Sequence, residues 1–146
     1  MMTERKHKSR KAAMARADRA FSLYIRLRDS REYGFKYFLC PTCRRVLSVQ
    51  MADCSHFFSR RMMATRFDPD NCVAECRYDN RFNGGHLLRL RPYMVRRLGR
   101  DGYAALERRS REKRKWTVAE LDELVAYYKA LSACLVDGME GGGVWT

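Results

Sequence analysis

Between residues 40 and 80 the sequence gathers side chains that ligate metals and move protons. Cys40-Pro41-Thr42-Cys43 has the form of half a zinc site, because two thiolates at this spacing fold back on one ion through a tight turn. The other half lies at Cys72 or Cys76, so the metal closes a loop of chain between the halves. Spacing admits two completions: Cys72 with Cys76, giving four thiolates, or Cys76 with Asp79, a knuckle whose last ligand is a carboxylate. Cys54 reads as a thiol buried beside a strand, and Cys134 as a core or surface thiol with no role. Inside the loop lies Asp53-Cys54-Ser55-His56-Phe57-Phe58, with Asn71 and Asn80 downstream. Each of these types has a use in phosphodiester hydrolysis. A neutral imidazole takes a proton from water. An Asp oxygen and an Asn carbonyl oxygen suit Mg²⁺, which polarises a phosphate and stabilises the leaving oxygen. A second Asn can hold the loop or the histidine in place. Plainer readings stand beside these: a structural histidine next to Phe57, and a turn residue at Asn71 after Asp-Pro-Asp.

The elements that would position these groups are short strands flanked by helices. Residues 1–11 are polar and basic and read as a flexible tail. From Ala12 to Ser30, Ala13, Ala17, Ala20, Phe21, Tyr24 and Ile25 recur at helical steps, with Arg16, Arg19, Arg26 and Arg28 as the cations of the same stretch. Gly34 ends this region. Phe35–Leu39 leads into the first knuckle, Val46–Val49 and Ala52–Phe58 read as strands, residues 68–71 as a loop, and Val73–Glu75 as a return strand. A helix begins after Cys76 and is stopped or bent at Gly84-Gly85. Pro92 suits a first helical position and Gly99 ends that helix. A basic helix follows from Gly102 to Lys115. The last opens with the capping-box pattern Thr117-Val118-Ala119-Glu120, presents Val118, Leu121, Leu124, Val125, Tyr128, Leu131 and Leu135 on one face, and closes at Gly138. A centre this small buries too little to hold itself together, and a structural metal supplies the deficit.

The chain has 146 residues and a formal net charge of +13. That charge, spread along the chain and interleaved with aromatics, points to a polyanion, nucleic acid before an anionic membrane surface. No run approaches the ~18 apolar residues of a membrane span, and no apolar stretch follows the basic N-terminus. The expectation is a soluble intracellular protein in which cysteines serve as metal ligands or buried thiols and not as disulfides.

The order CPTC, DCSHFFSRR, TRFDPDNCVAEC and CRYDNRFNGGH resembles the HNH (ββα-metal) nucleases and looks most like the NinG/Rap recombination proteins of lambdoid phages and prophages. Ala20–Asp29 resembles that family's N-terminal helix, His56–Arg60 its GHFISR strand, and Thr65–Asn80 its TRFDE-N segment, so the resemblance covers about residues 18–100. The arrangement is also similar to phage endonuclease VII. The resemblance implies an α+β fold, a small zinc-stapled ββα-metal core at 35–90 flanked by an N-terminal helix at 12–34 and a C-terminal helical extension at 91–137, with flexible tails at 1–11 and 138–146. It implies a metal-dependent, structure-selective endonuclease hydrolysing branched DNA of the Holliday-junction type during phage recombination. His56 would be the general base and Asn71 the middle residue of an H-N-N set. Asp53 and Asn80 would hold catalytic Mg²⁺ (or Mn²⁺). Structural Zn²⁺ would fall to Cys40, Cys43 and Cys76, with Asp79 as fourth ligand in competition with Cys72 and His86. The second knuckle departs from the family in being CxxD, His86 stands where the family shows Asn and reads as a surface residue, and Ser55 replaces a Gly.

Arg60, Arg61 and Arg66 follow the base and are expected to hold phosphates, while Arg77 and Arg81 project from the short helix. Residues 108–115 and 5–11 add a sequence-independent grip. Two opposed cuts at a junction predict a homodimer. Tyr127, Tyr128 and Leu131 are candidate interface residues whose simpler reading is core packing. The setting implied is the cytoplasm of a phage-infected or prophage-carrying bacterium, with no membrane partner. The rival functions are a general or nicking HNH endonuclease on duplex DNA, and a non-catalytic zinc module that binds DNA.

Overall fold

A computed structural model describes residues 2–140. Helix α1 (Met2–Ser30) begins well before the Ala12 expected from the apolar pattern, because its first turns are polar all round and carry no stripe to read. Its buried face is Ala13, Ala17, Ala20, Phe21 and Ile25, and the alanines let the last helix, α4 (Val118–Glu140), lie close along it. Leu121 and Tyr128 of α4 complete this core with Phe67, and Leu131 packs against it, so Tyr128 and Leu131 serve packing; Tyr127 is exposed. The capping box forms reciprocally: Thr117 Oγ1 accepts from the Glu120 N–H at 3.1 Å and Glu120 accepts from the Thr117 N–H at 2.9 Å. The helix continues through Gly138 to Glu140, and residues 141–146 of the expected tail lie outside the described residues.

After α1 the chain reverses through Gly34 and Phe35, both left-handed, into β1 (Tyr37–Leu39), which pairs antiparallel with β2 (Val46–Ser48) around the Cys40–Cys43 turn. β3 (Ala52–His56) pairs antiparallel with β4 (Cys72–Cys76), from Ala52 opposite Cys76 to His56 opposite Cys72. β3 stops two residues short of the expected Phe58. β4 is buried throughout: Val73 meets Leu90, Met94 and Leu106 on one side, while Ala74 and Cys76 meet Phe38 and Cys40 on the other. Its outer edge is sealed by α1, with Asp29 accepting the Ala74 N–H at 2.8 Å and Arg28 donating to the Cys72 carbonyl at 2.7 Å.

Helix α2 (Arg77–Phe82) follows β4 directly, and α3 (His86–Ser110) follows the Gly84-Gly85 turn. α3 is two helices meeting at Gly99, whose φ of 73° and ψ of 168° end the first as expected. Pro92 is not at a helix start but inside, on an exposed side where the carbonyl it leaves unpaired belongs to Leu88, itself exposed. The basic helix ends at Ser110, so Arg111–Lys115 are an exposed connector. The architecture is α+β, with four helices and two small antiparallel sheets. No described helix is long and apolar enough to cross a membrane.

Candidate functional site

Two groups of side chains gather on the β3–β4 ladder, one at its Ala52–Cys76 end and one along β3 from Asp53 to His56. At the Ala52–Cys76 end, ligand atoms of Cys40, Cys43, Cys76 and Asp79 all lie within 4.8 Å of one another. The turn that presents Cys40 and Cys43 is closed by the Arg44 N–H on the Cys40 carbonyl at 2.9 Å, with Arg44 in the left-handed region. Asp79 reaches the cluster from the first turn of α2, with one carboxylate oxygen 3.1 Å from Cys76 Sγ and the other taking a hydrogen bond from Asn83 at 2.9 Å. Burial and the crowding of Asp79 and Cys40 push the Cys76 thiol up to about 12. Burial also raises Cys43, but the Arg45 N–H and guanidinium outweigh it and hold that thiol below its ordinary value. The Cys76 and Cys40 thiols both donate to the Asp79 carboxylate, and a divalent cation that replaced the thiol protons would meet three sulfurs and a carboxylate, a donor set that suits tetrahedral zinc. Of the two completions open in the sequence, the geometry selects Cys76 with Asp79. Cys72 is instead at the far end of β4 beside Cys54 and His56. His86 does not join the knuckle either, nor is it a free surface residue: its Nδ1 is 3.0 Å from both oxygens of the fully buried Glu75, which also accepts the Thr42 hydroxyl.

The second group opens into a groove of about 800 Å³ between α1 and β3, lined by Asp53, Cys54, His56, Asn80 and the cations Arg19, Arg26, Arg60 and Arg81. Asp53 and His56 are three residues apart, so strand alternation sends them to opposite faces; they meet in one groove because it follows the unpaired edge of β3. His56 Nε2 lies 2.8 Å from the Arg66 carbonyl. A carbonyl only accepts, so Nε2 carries the proton and Nδ1 of the neutral ring keeps its lone pair. Burial lowers the imidazole pKa, and the charges of Arg60 and Arg66 add to this against the opposing Arg66 carbonyl. Asp53 accepts from Arg81 at 2.7 and 2.9 Å and from Asn80 at 3.1 Å, with Arg77 at 3.6 Å. Burial alone would raise its carboxyl, but these donors together hold it below the usual carboxylate range.

Asn71 and Arg66 do not face this groove. Asn71 is fully buried and ties the chain beyond β3 together, accepting the Phe58 N–H at 2.8 Å and donating to the carbonyls of Phe58 at 3.0 Å and Thr65 at 3.1 Å. It is a positioning residue. Arg66 is turned inward onto Asp18 of α1, at 2.9 and 2.6 Å, and is not offered to a phosphate. The reason is the loop path: holding its carbonyl on His56 carries its side chain beneath α1. Arg60 shares Asp18 at 2.7 Å from the groove side, and Arg61 is exposed on the same loop. Asp18 is thus a key residue that sequence reasoning missed. Its signal was a carboxylate beside the Ala17-Ala20-Phe21 face in a mostly cationic stretch.

A family model described as Bacteriophage Lambda NinG protein matches residues 2–136. No curated protein and no solved structure matches the chain.

Proposed function

The chain belongs to the NinG family, a phage recombination-associated family, and from that membership and the groove's chemistry we propose a metal-dependent endonuclease of the HNH type acting on branched DNA. The observation that carries the reading is His56: its proton is fixed on Nε2 by the Arg66 carbonyl, its burial keeps it neutral, and its Nδ1 lone pair is available in a basic groove. His56 takes a proton from water at Nδ1, the oxygen attacks the phosphorus, and the bond to the leaving sugar oxygen breaks. Asp53 and Asn80 would hold Mg²⁺ or Mn²⁺, which when bound polarises the phosphate and stabilises the leaving oxygen. Arg81, exposed and joined to Asp53 only through its tip, swings to a phosphate when that carboxylate is engaged. Arg19, Arg26 and Arg60 line the path of the backbone. Tyr78 and Phe82, exposed on α2 beside Asn80, offer stacking faces to bases unpaired at a branch point. Zinc at the knuckle is structural. A junction resolvase cuts twice, so the active form on that substrate is a homodimer, working on DNA in the bacterial cytoplasm.

A second reading draws on the Asp53–Arg81 pair. An arginine bidentate on the proposed metal ligand is how a catalytically silent DNA-binding module would look. The deciding assay offers purified protein matched four-way junction and linear duplex, with Mg²⁺ or EDTA, and includes His56→Ala. Paired Mg²⁺-dependent cuts near the branch, lost in the variant, are expected. Equal cutting of linear duplex would give the general nuclease, and binding without cleavage the silent module.

A further inference from the structure

Cys54, His56 and Cys72 have ligand atoms within 4.8 Å of one another, at the end of the ladder opposite the knuckle. Strand geometry puts them there: Cys54 and His56 share a face two residues apart, and Cys72 stands directly opposite His56. Four residue steps separate this end from Cys76, about 13 Å at strand rise, so the two groups cannot share an ion. Cys54 and His56 line the groove and give solvent a way in, while Cys72 forms the buried floor. Two sulfurs and an imidazole nitrogen on rigid strands, with one side open, make a three-ligand zinc-type set with a free coordination position.

We propose that Cys54, His56 and Cys72 form a second, inhibitory site for a thiophilic divalent ion, zinc being the natural occupant. Binding replaces the two thiol protons, which pass to solvent, and the metal takes the imidazole lone pair at Nδ1, since Nε2 is committed to Arg66. The ion thereby removes the only free electron pair on His56. No electron is transferred, and a chelator reverses the step. Ion binding stands on geometry alone; the inhibitory consequence rests on His56 being the base.

The test counts zinc. Full-length protein is dialysed against excess zinc, and bound metal is compared in wild type, Cys54→Ser and Cys72→Ala, with folding checked by circular dichroism. Wild type is expected to bind one ion more than Cys54→Ser, and its Cys54 and Cys72 thiols to be shielded from alkylation. The same zinc content in wild type and Cys54→Ser, or thiols alkylated equally with and without zinc, overturns the site. Because Cys54 is only partly buried, its Ser variant keeps the test usable where Cys72→Ala unfolds. Added zinc is then expected to abolish cleavage by wild type and not by Cys54→Ser; cleavage equally sensitive in both overturns the inhibitory role. If no protein cleaves any substrate, the nuclease reading fails while the zinc difference still decides the site.

Discussion

Replacing Asp18 by Ala tests whether α1 holds the histidine in place. Asp18 makes a bidentate contact with Arg66, and the two side chains are only 20% and 11% exposed. Removing one partner of a fully buried pair costs about 3–5 kcal/mol, because the remaining charge is stranded. Here partial exposure and a remaining 3.2 Å hydrogen bond from Arg66 to the Arg60 carbonyl soften the loss. A cost of about 2–3 kcal/mol follows, or a fall in melting temperature of about 5–10 °C for a chain of this size. The same helix supplies the control. Arg16 and Asp122 pair with side chains 44% and 53% exposed, so Arg16→Ala should cost less than about 1 kcal/mol. Urea denaturation of both variants gives the comparison. Freed from Asp18, the loop that presents the Arg66 carbonyl loosens. The His56 Nε2 proton should then exchange faster by NMR, and cleavage should fall about 10- to 100-fold through misplacement of the base. Equal small costs for the two variants would refute the argument from burial. A destabilised Asp18→Ala with unchanged Nε2 exchange would refute the link from α1 to His56.

Cleavage should follow the neutral imidazole: the acid limb of its pH profile should inflect below the ordinary value of 6.5, because burial depresses the folded-state pKa. Stability carries the same sign, since the unfolded chain takes up the proton first. The neutral form's contribution is complete above the unfolded value and is lost as pH falls through the folded one, which acid titration of urea midpoints checks. Asn71→Ala deletes three hydrogen bonds of a fully buried side chain and should cost about 2–4 kcal/mol by urea denaturation without changing zinc content. Stripping the knuckle metal with a chelator should unfold the chain, since structural zinc supplies about 10–16 kcal/mol against a whole-domain stability of about 5–15; Asp79→Cys should retain zinc against a competing chelator, and Asp79→Ala should lose it. His86→Ala strands the buried Glu75 with Thr42 alone and should lower the urea midpoint by the equivalent of about 1.5–3 kcal/mol.

What could be read in the sequence is what short-range chemistry decides. The Cys40–Cys43 turn, the Thr117–Glu120 box and the break at Gly99 each depend on residues within a few positions, and each forms. Asp53, His56 and Asn80 were legible as a set because their types fit one chemistry, and the groove brings them together. The misplaced residues are those decided by partners far along the chain. Arg66 reads as a phosphate ligand until Asp18, on another element, is seen to take it. His86 reads as surface until Glu75 is found buried beneath it. The choice between Cys72 and Asp79 is of the same kind: spacing allows both, but four extended residue steps carry Cys72 to the opposite end of β4 from Cys76. Asn71 is not among the misplaced residues: read as an asparagine that can hold the loop, with a plain turn residue as the simpler alternative, it holds the loop at Phe58 and Thr65.

That register connects the knuckle to the groove. A two-stranded sheet is marginal alone, and a slip of one residue would exchange the faces of every side chain, sending His56 away from α1. Three devices prevent the slip. Cys76 is fixed at one end by the thiol–carboxylate cluster, Asp29 and Arg28 clamp the outer edge of β4 in the middle, and Asn71 binds the chain beyond β3 at the other end. A metal held at the knuckle would therefore act on the groove without touching it, by fixing which β4 residue faces His56. Asp18 acts on the same imidazole through the Arg66 loop, with no effect on register. Because loss of zinc should unfold the chain, Asp53 and His56 should be lost together on chelation, whereas loss of Asp18 should disturb His56 in a folded chain and leave the Asp53–Asn80 contact intact, a distinction that side-chain NMR of Asn80 in the two cases would register.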